Sequence, residues 1–366
     1  MEKESLIVKP SKRVQQLSAY AITPQDVWSG GYDPYILKAD WNEAPRNLQL
    51  YLPAMKEIIE HNGLLAWYPD YTCLDLVHGV KNYVGCDSNQ IAIYSGSDSG
   101  LCDIANCYLE AGETALLLSP TYDNFRVYVS QHGGLVEDFH LNADGTCNYD
   151  DLRIRIAALD PKIVYIVNPN NPYGNAVDRC TVVNMVRDFP SSLFIIDEAY
   201  IDFDLSKSIA SEVSNFENIV VTRTFSKAFG LAGVRVGYVV ADKNVIVTLN
   251  KIRKGKNVSM LGQKLALHAL ENPAFFSEWF DSITASKRRF YDFFNENNIK
   301  YFQSDANFIL FLASSPNELC AILKSEGVFV RNRNKIIDKA IRVTVGADGD
   351  TTKMLHSLKE NLHLLV

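Results

Sequence analysis

The chain has 366 residues, 47% of them hydrophobic and 22% charged, with a formal net charge of −7. Its length suggests two domains at roughly 100–200 residues each, and its mild acidity argues against a nucleic-acid partner, which calls for a concentrated basic face. No apolar run approaches the ~18 residues of a membrane span, MEKESLIVKPSKR at the start lacks the apolar core of a secretory leader, and seven scattered cysteines without a CxxC pair point away from a disulfide framework or a metal site. The expectation is a cytoplasmic protein that engages no metal, membrane or nucleic acid.

The first 45 or so residues show little periodicity and contain Pro24, Gly30-Gly31 and Pro34. They read as an arm plus a strand added to another part of the molecule. A regular pattern begins near residue 91. IAIY (91–94) reads as a short buried strand, SGSDSG (95–100) as a turn, and LCDIANCYL (101–109) as a helix. TALLLS (114–119) is a strand closed by Pro120, followed by a helix over 122–131 that ends at Gly133-Gly134 and a strand LVEDFH (135–140). A helix over 150–158, a strand KIVYIVN (162–168), a helix over 177–188 and a strand LFIID (193–197) come next. NIVVTRTF (218–225) and VRVGYVVA (234–241) complete the series. Apolar strands alternating with helices predict an α/β fold: a mostly parallel seven-stranded sheet between two helical layers. The last third carries helical patterns over 259–271, 273–297, 316–326 and 350–365, with strands ANFILFL, VFVRN and IRVTVG between them. This predicts a large domain over 46–265 and a smaller α+β domain built from 1–45 and 266–366.

Several strand ends carry chemistry. Lys227, in TRTFSKAFGLAGVRVGY, sits among small and apolar residues between two strands, with Arg235 eight residues on and the hydroxyls of Thr224 and Ser226 beside it. Alone it is equally an ordinary loop lysine. With its neighbours it suits a phosphate dianion, which needs a cation and short donors, and an amine can form a Schiff base with an aldehyde cofactor. Asp197, in Asp197-Glu198-Ala199-Tyr200, ends a strand at the edge where ligands of parallel sheets bind. A carboxylate there can keep a pyridine nitrogen protonated; the plainer alternative is a capping Asp and a solvated Glu. NPNNPYG (168–174) is a proline-rich turn or a stiff loop presenting Asn171. SGSDSG is a plain turn or an anion site at a helix N-terminus. Together the features follow one order along successive strand ends: phosphate turn, aromatic, Asn loop, Asp, Lys, Arg.

These motifs resemble the fold-type-I aminotransferases that use pyridoxal 5'-phosphate (PLP), and within them the histidinol-phosphate aminotransferase group. The resemblance runs from about Tyr20 to the last helix and is most specific in NPNNPYG, DEAY, TFSKAFGLAGVRVGY and IRVTVG. It implies that Lys227 carries the cofactor and acts as general base, that Asp197 pairs with the pyridine nitrogen, and that Asn171 and Tyr200 contact its O3′. It implies Tyr122 stacked on the ring, and Gly96, Ser97, Asp98, Thr224, Ser226 and Arg235 around the phosphate. Tyr68, in WYPDY, would reach the neighbouring subunit's cofactor, which implies a homodimer with shared active sites. Tyr20, Asn42, Arg331 and Arg342 are the implied substrate contacts. The implied reaction takes an amino group from an amino acid, glutamate being the expected donor. The acceptor would be a small phosphorylated carbonyl compound such as imidazole acetol phosphate or dihydroxyacetone phosphate. Decarboxylation of a phosphoamino acid on the same scaffold is the alternative. The chain departs from the group's usual pattern in AYAITPQDVWSGG, in NEAP (42–45), in GSDS (96–99) and in NPYG (171–174).

Overall fold

The computed structural model describes residues 35–44, 49–61 and 66–365, with a few isolated positions before residue 35. Its larger sheet contains β2 (Ile91–Tyr94), β3 (Thr114–Ser119), β4 (Leu135–His140), β5 (Ile163–Val167), β6 (Leu193–Asp197), β7 (Ile219–Thr224) and β8 (Gly237–Ala241). The spatial order is β2-β8-β7-β6-β5-β3-β4. All run parallel except β8, which is antiparallel to both its neighbours. This is the mostly parallel seven-stranded sheet expected from the sequence.

Strand alternation divides the core into two layers. Ile93, Leu116, Val164, Phe194, Ile196 and Val221 face one side, where they meet helices α2 (Leu74–Val84), α5 (Tyr149–Leu159), α6 (Arg179–Asp188) and α8 (Met260–Leu270). Tyr94, Leu117, Tyr165, Ile195 and Val220 face the other, against α3 (Gly96–Tyr108), α4 (Asn124–Gln131) and α7 (Lys243–Asn250). Sheet strands that are buried on both faces are expected to be mostly apolar, as in β5 and β8; β7 is buried at every position too, but carries Thr222, Arg223 and Thr224 at its end.

A second sheet has the order β1-β10-β11-β9, from β1 (Leu37–Ala39), β9 (Phe308–Leu312), β10 (Val328–Asn332) and β11 (Ala340–Thr344). It is backed by α9 (Pro273–Glu296), α10 (Pro316–Ser325) and α11 (Asp348–Glu360), whose Ile283, Phe290, Phe294, Leu319, Leu323, Met354 and Leu358 fill its core. β1 pairs in parallel with β10, so the early segment does add a strand to a distant part of the chain.

Three local outcomes differ from the sequence reading. The glycine- and serine-rich stretch after β2 is not a turn before the helix: α3 starts at Gly96, and the stretch is its first turn. Helices α1 (Leu52–Glu60), α2 and α7 lie where no element was expected. Strand β8 starts at Gly237 rather than residue 234, because Val234 ends a 3-10 turn and Arg235 takes a left-handed φ of 52°.

Gly237 explains how α3 reaches the sheet edge. A Cβ there would collide with the Ser97 backbone nitrogen and lie 2.7 Å from the Gly96 carbonyl carbon and 2.8 Å from the Arg223 oxygen. All three are backbone atoms, so nothing can swing aside. Gly237→Ala should push α3 off the sheet at a cost of roughly 1–3 kcal/mol, read as a lower Tm together with weaker cofactor retention on dialysis. Wild-type stability in the variant would contradict this packing.

Candidate active site

The carboxyl ends of β2, β3, β5, β6 and β7 and the start of the antiparallel β8 fall along one edge of the large sheet, as their register requires. Nearly every residue singled out from the sequence is carried by that edge or by the small sheet beside it.

At the middle of the edge, Asp197 ends β6 and is 2% exposed. The Tyr165 hydroxyl donates to its Oδ2 at 2.8 Å and the Thr222 hydroxyl to its Oδ1 at 3.1 Å. Residues 165, 197 and 222 lie on the same face because Tyr165 is two residues before Val167, the register partner of Asp197, and Thr222 is paired with Asp197 directly. Asp197 has no ion pair among the described residues. Burial pushes its carboxyl up to about 6, against the lowering effect of the two hydroxyl donors. An acceptor held this way, aimed at the ligand edge, fits a protonated ring nitrogen.

Glu198 is neither a cap nor solvated. It is fully buried, accepts from Arg223 Nε at 2.8 Å and from the Ile209 backbone nitrogen at 2.6 Å, and takes the Ser208 hydroxyl at 2.9 Å. Arg223 points to the opposite face of β7 from Thr222 and Thr224, so this ion pair lies behind the ligand face rather than on it.

Lys227 follows β7 and donates from Nζ to the Trp41 carbonyl at 2.8 Å, with its ammonium 6.0 Å from the centre of the Tyr200 ring. The Tyr200 hydroxyl accepts from Asn42 Nδ2 at 3.1 Å and from Asn171 Nδ2 at 3.4 Å. Asn42, with φ of 56°, is buried in a strap over residues 40–44 that is pinned by Thr344 and Asn307. Lys227, Tyr200, Asn171 and Asn42 therefore share one spot.

At one end of that spot lies an anion cradle. Arg235 donates to the Ser226 hydroxyl at 3.3 Å, and the Thr224 and Ser226 hydroxyls are 2.9 Å apart. Arg235 also lies over Gly96, whose φ of 76° and lack of a side chain let the guanidinium sit where a Cβ would be. The backbone N–H groups in the first turn of α3, at Gly96, Ser97 and Asp98, have no intrahelical acceptor and face a favourable helix dipole for an anion. The Tyr122 hydroxyl donates to Asp98 Oδ1 at 2.9 Å, and Asp98 Oδ2 is 3.8 Å from Arg235. Burial and the Asp98 charge raise the Tyr122 hydroxyl pKa, so it stays a neutral donor.

At the other end are arginines. Arg342 on β11 is 4% exposed, donates to Asn171 Oδ1 at 2.7 Å and to the Asp40 carbonyl at 2.7 Å, and has no partner for its buried Nε. No carboxylate pairs with it among the described residues, and burial pushes it down to about 9. Arg331 on β10 is its direct register partner.

Two sequence-predicted residues are not part of this cluster as described. Tyr20 lies outside the described residues. Tyr68 is 79% exposed, its ring 4.0 Å from Lys256 Nζ. Three others were not singled out and belong here: Tyr165 and Thr222, which hold Asp197, and Arg333, whose Nη2 reaches Asn171 Oδ1 at 3.4 Å. Thr222 stands two residues before Thr224 and Arg333 two after Arg331, a spacing that puts each pair on one strand face; Tyr165, between Ile163 and Val167, carries no such signal.

A buried carboxylate at a strand end, an amine beyond the next strand and an anion cradle beside them define a PLP-dependent enzyme of the doubly wound α/β type. The profile of the family described as aminotransferase class I and II matches residues 42–360, and the chain belongs to that family. It is accordingly a PLP-dependent aminotransferase. Among curated proteins it is similar to a dihydroxyacetone phosphate transaminase of Campylobacter jejuni, at 32% identity over 359 residues covering 96% of this chain and 97% of that one. It is also similar to a histidinol-phosphate aminotransferase of Ruminiclostridium cellulolyticum, at 29% identity covering 90% of this chain and 94% of the relative. The solved histidinol-phosphate aminotransferase of Sinorhizobium meliloti, a complex with PLP, superposes over all of both chains with a TM-score of 0.88 at 22% identity. No described helix is long and apolar enough to cross a membrane.

An ionised Asp197 is less favourable in the fold than in the unfolded chain. Its contribution to stability is thus greatest below pH ~4 and is lost as the pH rises through about 6. In cofactor-free protein, the Tm of Asp197→Asn minus that of wild type should become more positive between pH 4 and 7, by the equivalent of about 2–3 kcal/mol. Asp202, also raised to about 6 by burial, is present in both proteins and cancels. A pH-independent difference would contradict the buried, unpaired state of Asp197.

Proposed function

We propose that this enzyme transfers an amino group from an amino acid, with glutamate as donor, to a small phosphorylated carbonyl compound. The observation that carries this reading is a pair of arginines, Arg331 and Arg342, without ion-pair partners among the described residues, on the small sheet and with contacts separate from those of the Arg235 cradle. One cradle suits the phosphate of the cofactor; the second suits an anion on the substrate. The similarity to a dihydroxyacetone phosphate transaminase and to histidinol-phosphate aminotransferases supports a phosphorylated acceptor.

When bound, PLP supplies an aldehyde that links to amines and a ring that draws electrons from the substrate's α-carbon. The residues here fit it. Asp197 would hold the ring nitrogen protonated, and a cation there would relieve the cost of its buried charge. Asn171 and Tyr200 would face the phenolic oxygen, and Tyr122 the face of the ring. The backbone of Gly96, Ser97 and Asp98, with Thr224, Ser226 and Arg235, would hold the phosphate. Lys227 would anchor the aldehyde and, once displaced by the donor amine, take the proton from the substrate's α-carbon at Nζ and return it to complete the transfer. The Trp41 carbonyl, Asn42 and the Asp40 carbonyl place the strap over residues 40–44 against Lys227, Tyr200 and Arg342, where it screens the site from water.

The assembly proposed is a homodimer. Leu52, Ile59, Trp67, Tyr68, Tyr71 and Leu74 are all exposed within a short stretch of chain, large apolar side chains of the kind an interface would cover. Across that interface Tyr68 would reach the partner's cofactor phosphate.

The test is formation of 2-oxoglutarate from L-glutamate in the presence of PLP and a panel of phosphorylated and unphosphorylated carbonyl compounds. Turnover should require a phosphorylated acceptor, and Lys227→Ala should lower it by about 10²–10⁴ and abolish the visible absorbance change on adding glutamate. No turnover with any phosphorylated carbonyl compound would overturn the acceptor class. Carbon dioxide release from a phosphoamino acid without a keto acceptor would replace transfer by decarboxylation.

A further inference from the structure

The chain that enters β9 over residues 302–308 reads FQSDANF, and Asp305 is its one ionisable side chain. The carboxylate has two partners, one in the loop beyond β5 and one in the loop beyond β6. Oδ2 accepts from the Ala176 backbone N–H at 2.8 Å, and Oδ1 lies 2.8 Å from Lys207 Nζ. The Asp305 backbone N–H also donates to the Gly174 carbonyl at 2.8 Å. Lys207 ends a short 3-10 turn, Leu205–Lys207.

What the carboxylate holds is the outer half of the loop 168–176. That half packs closely on residues 302–305. Tyr173 meets Phe302 edge to face, with 5.2 Å between ring centres. Gly174 has a φ of 90°, and a Cβ on it would lie 2.7 Å from the Ser304 Cβ. The loop is also closed on itself: the Asn170 N–H donates to the Asn175 carbonyl at 2.9 Å and the Gly174 N–H to the Asn170 carbonyl at 2.8 Å. A displacement of residues 174–176 is therefore passed to Asn171, inside the closed turn. Asn171 Nδ2 donates to the Tyr200 hydroxyl at 3.4 Å and its Oδ1 accepts from Arg342 at 2.7 Å. A shift of the loop weakens both contacts at once, because a hydrogen bond is lost within a few tenths of an ångström.

The two contacts of the Asp305 carboxylate differ in weight. Its ion pair with Lys207 is partly exposed at both ends, and such pairs add little stability. The bond from Ala176 is charge-assisted and made at a half-buried backbone donor, a stronger class of contact. Lys207 thus serves to aim the carboxylate, and Ala176 is what the carboxylate holds.

We propose that Asp305 is a positioning residue: its bond to Ala176 fixes the 168–176 loop so that Asn171 stands between Tyr200 and Arg342. Asp305 acts through Asn171 and is not itself a contact of substrate or cofactor. The inference rests on the site as read above, in which Asn171 faces the cofactor and Arg342 a substrate anion.

The experiment compares wild type, Asp305→Ala, Asp305→Asn, Asn171→Ala and the double variant Asp305→Ala/Asn171→Ala. Amide hydrogen exchange of the cofactor-free proteins, resolved to a peptide over residues 173–177, reads the loop. The Kd for PLP and the KM for L-glutamate read the site. In Asp305→Ala, exchange in this peptide should quicken about 2–10-fold, and Kd and KM should rise by a similar factor, the effect of losing one hydrogen bond, while kcat and Tm change much less. Asp305→Asn keeps an oxygen that can accept from Ala176 and should recover most of the loss. In the Asn171→Ala background, Asp305→Ala should raise Kd and KM no further, the mark of two residues acting as one. Exchange that rises across the whole chain together with a fall in Tm is a merely structural role and overturns the proposal. Wild-type Kd and KM in Asp305→Ala, an Asp305→Asn variant as impaired as Asp305→Ala, or additive effects in the double variant also overturn it. A wild type that does not react with L-glutamate contradicts the donor reading alone, and the exchange rates and the Kd for PLP still decide the role of Asp305.

Discussion

A carboxylate buried at the end of a strand with no cation beside it is an unfavourable thing to fold around, and Asp197 is in that state. Two neutral hydroxyls, from Tyr165 and Thr222, hold it in place without neutralising it. Much of the remaining site depends on this constraint. The three residues can meet only if β5, β6 and β7 run parallel in a fixed register, and the same register sets the strand end from which Lys227 emerges. A protonated ring nitrogen would supply the missing charge, so binding of the cofactor would stabilise what the fold alone leaves uncompensated.

Strand alternation keeps two kinds of polar chemistry apart. Thr222 and Thr224 on one face of β7 serve Asp197 and the anion cradle. Arg223 between them faces backwards into a closed network with Glu198 and Ser208. The Glu198–Arg223 pair is fully internal, so it cannot exchange partners with a ligand, and removing either member would strand a buried charge. Asp197 and Glu198, adjacent in the chain, thus have unrelated roles: one awaits a cation and one already has it. The small sheet contributes the opposite imbalance, the buried Arg342 guanidinium, which donates to Asn171 and has no carboxylate partner among the described residues. Lys227 shares its surroundings with this uncompensated cation through Tyr200 and Asn171, where a substrate carrying charge of both signs would fit.

The alternation of apolar strands and helices made the large sheet legible, because a strand buried on both faces has little choice but Val, Ile, Leu or an aromatic. The motif residues Asp197, Lys227, Asn171 and Arg235 were legible as well, since each ends or follows such a strand. What was hidden has a physical cause in each case. The first turn of α3 is Gly-Ser-Asp-Ser-Gly, poor helix formers tolerated because Gly96 and Gly237 let the helix approach Arg235 and the sheet. Helix α2 starts after a left-handed Cys73 that makes no cap bond, and its first N–H is taken by Asp70 four residues upstream, so it lacks the usual N-cap signal. Arg333 sits in RNRNK, whose polarity masks a ladder that continues past the strand end. Tyr165 and Thr222 read as ordinary strand residues until register brings their hydroxyls to one carboxylate.

The central claim is that Lys227 is the lysine that carries the cofactor. The most direct test is to reduce the PLP-loaded enzyme with sodium borohydride, digest it, and locate the phosphopyridoxyl group by mass spectrometry. The account predicts stoichiometric label on the peptide containing Lys227 and none after Lys227→Ala. Stoichiometric label on any other lysine would contradict it.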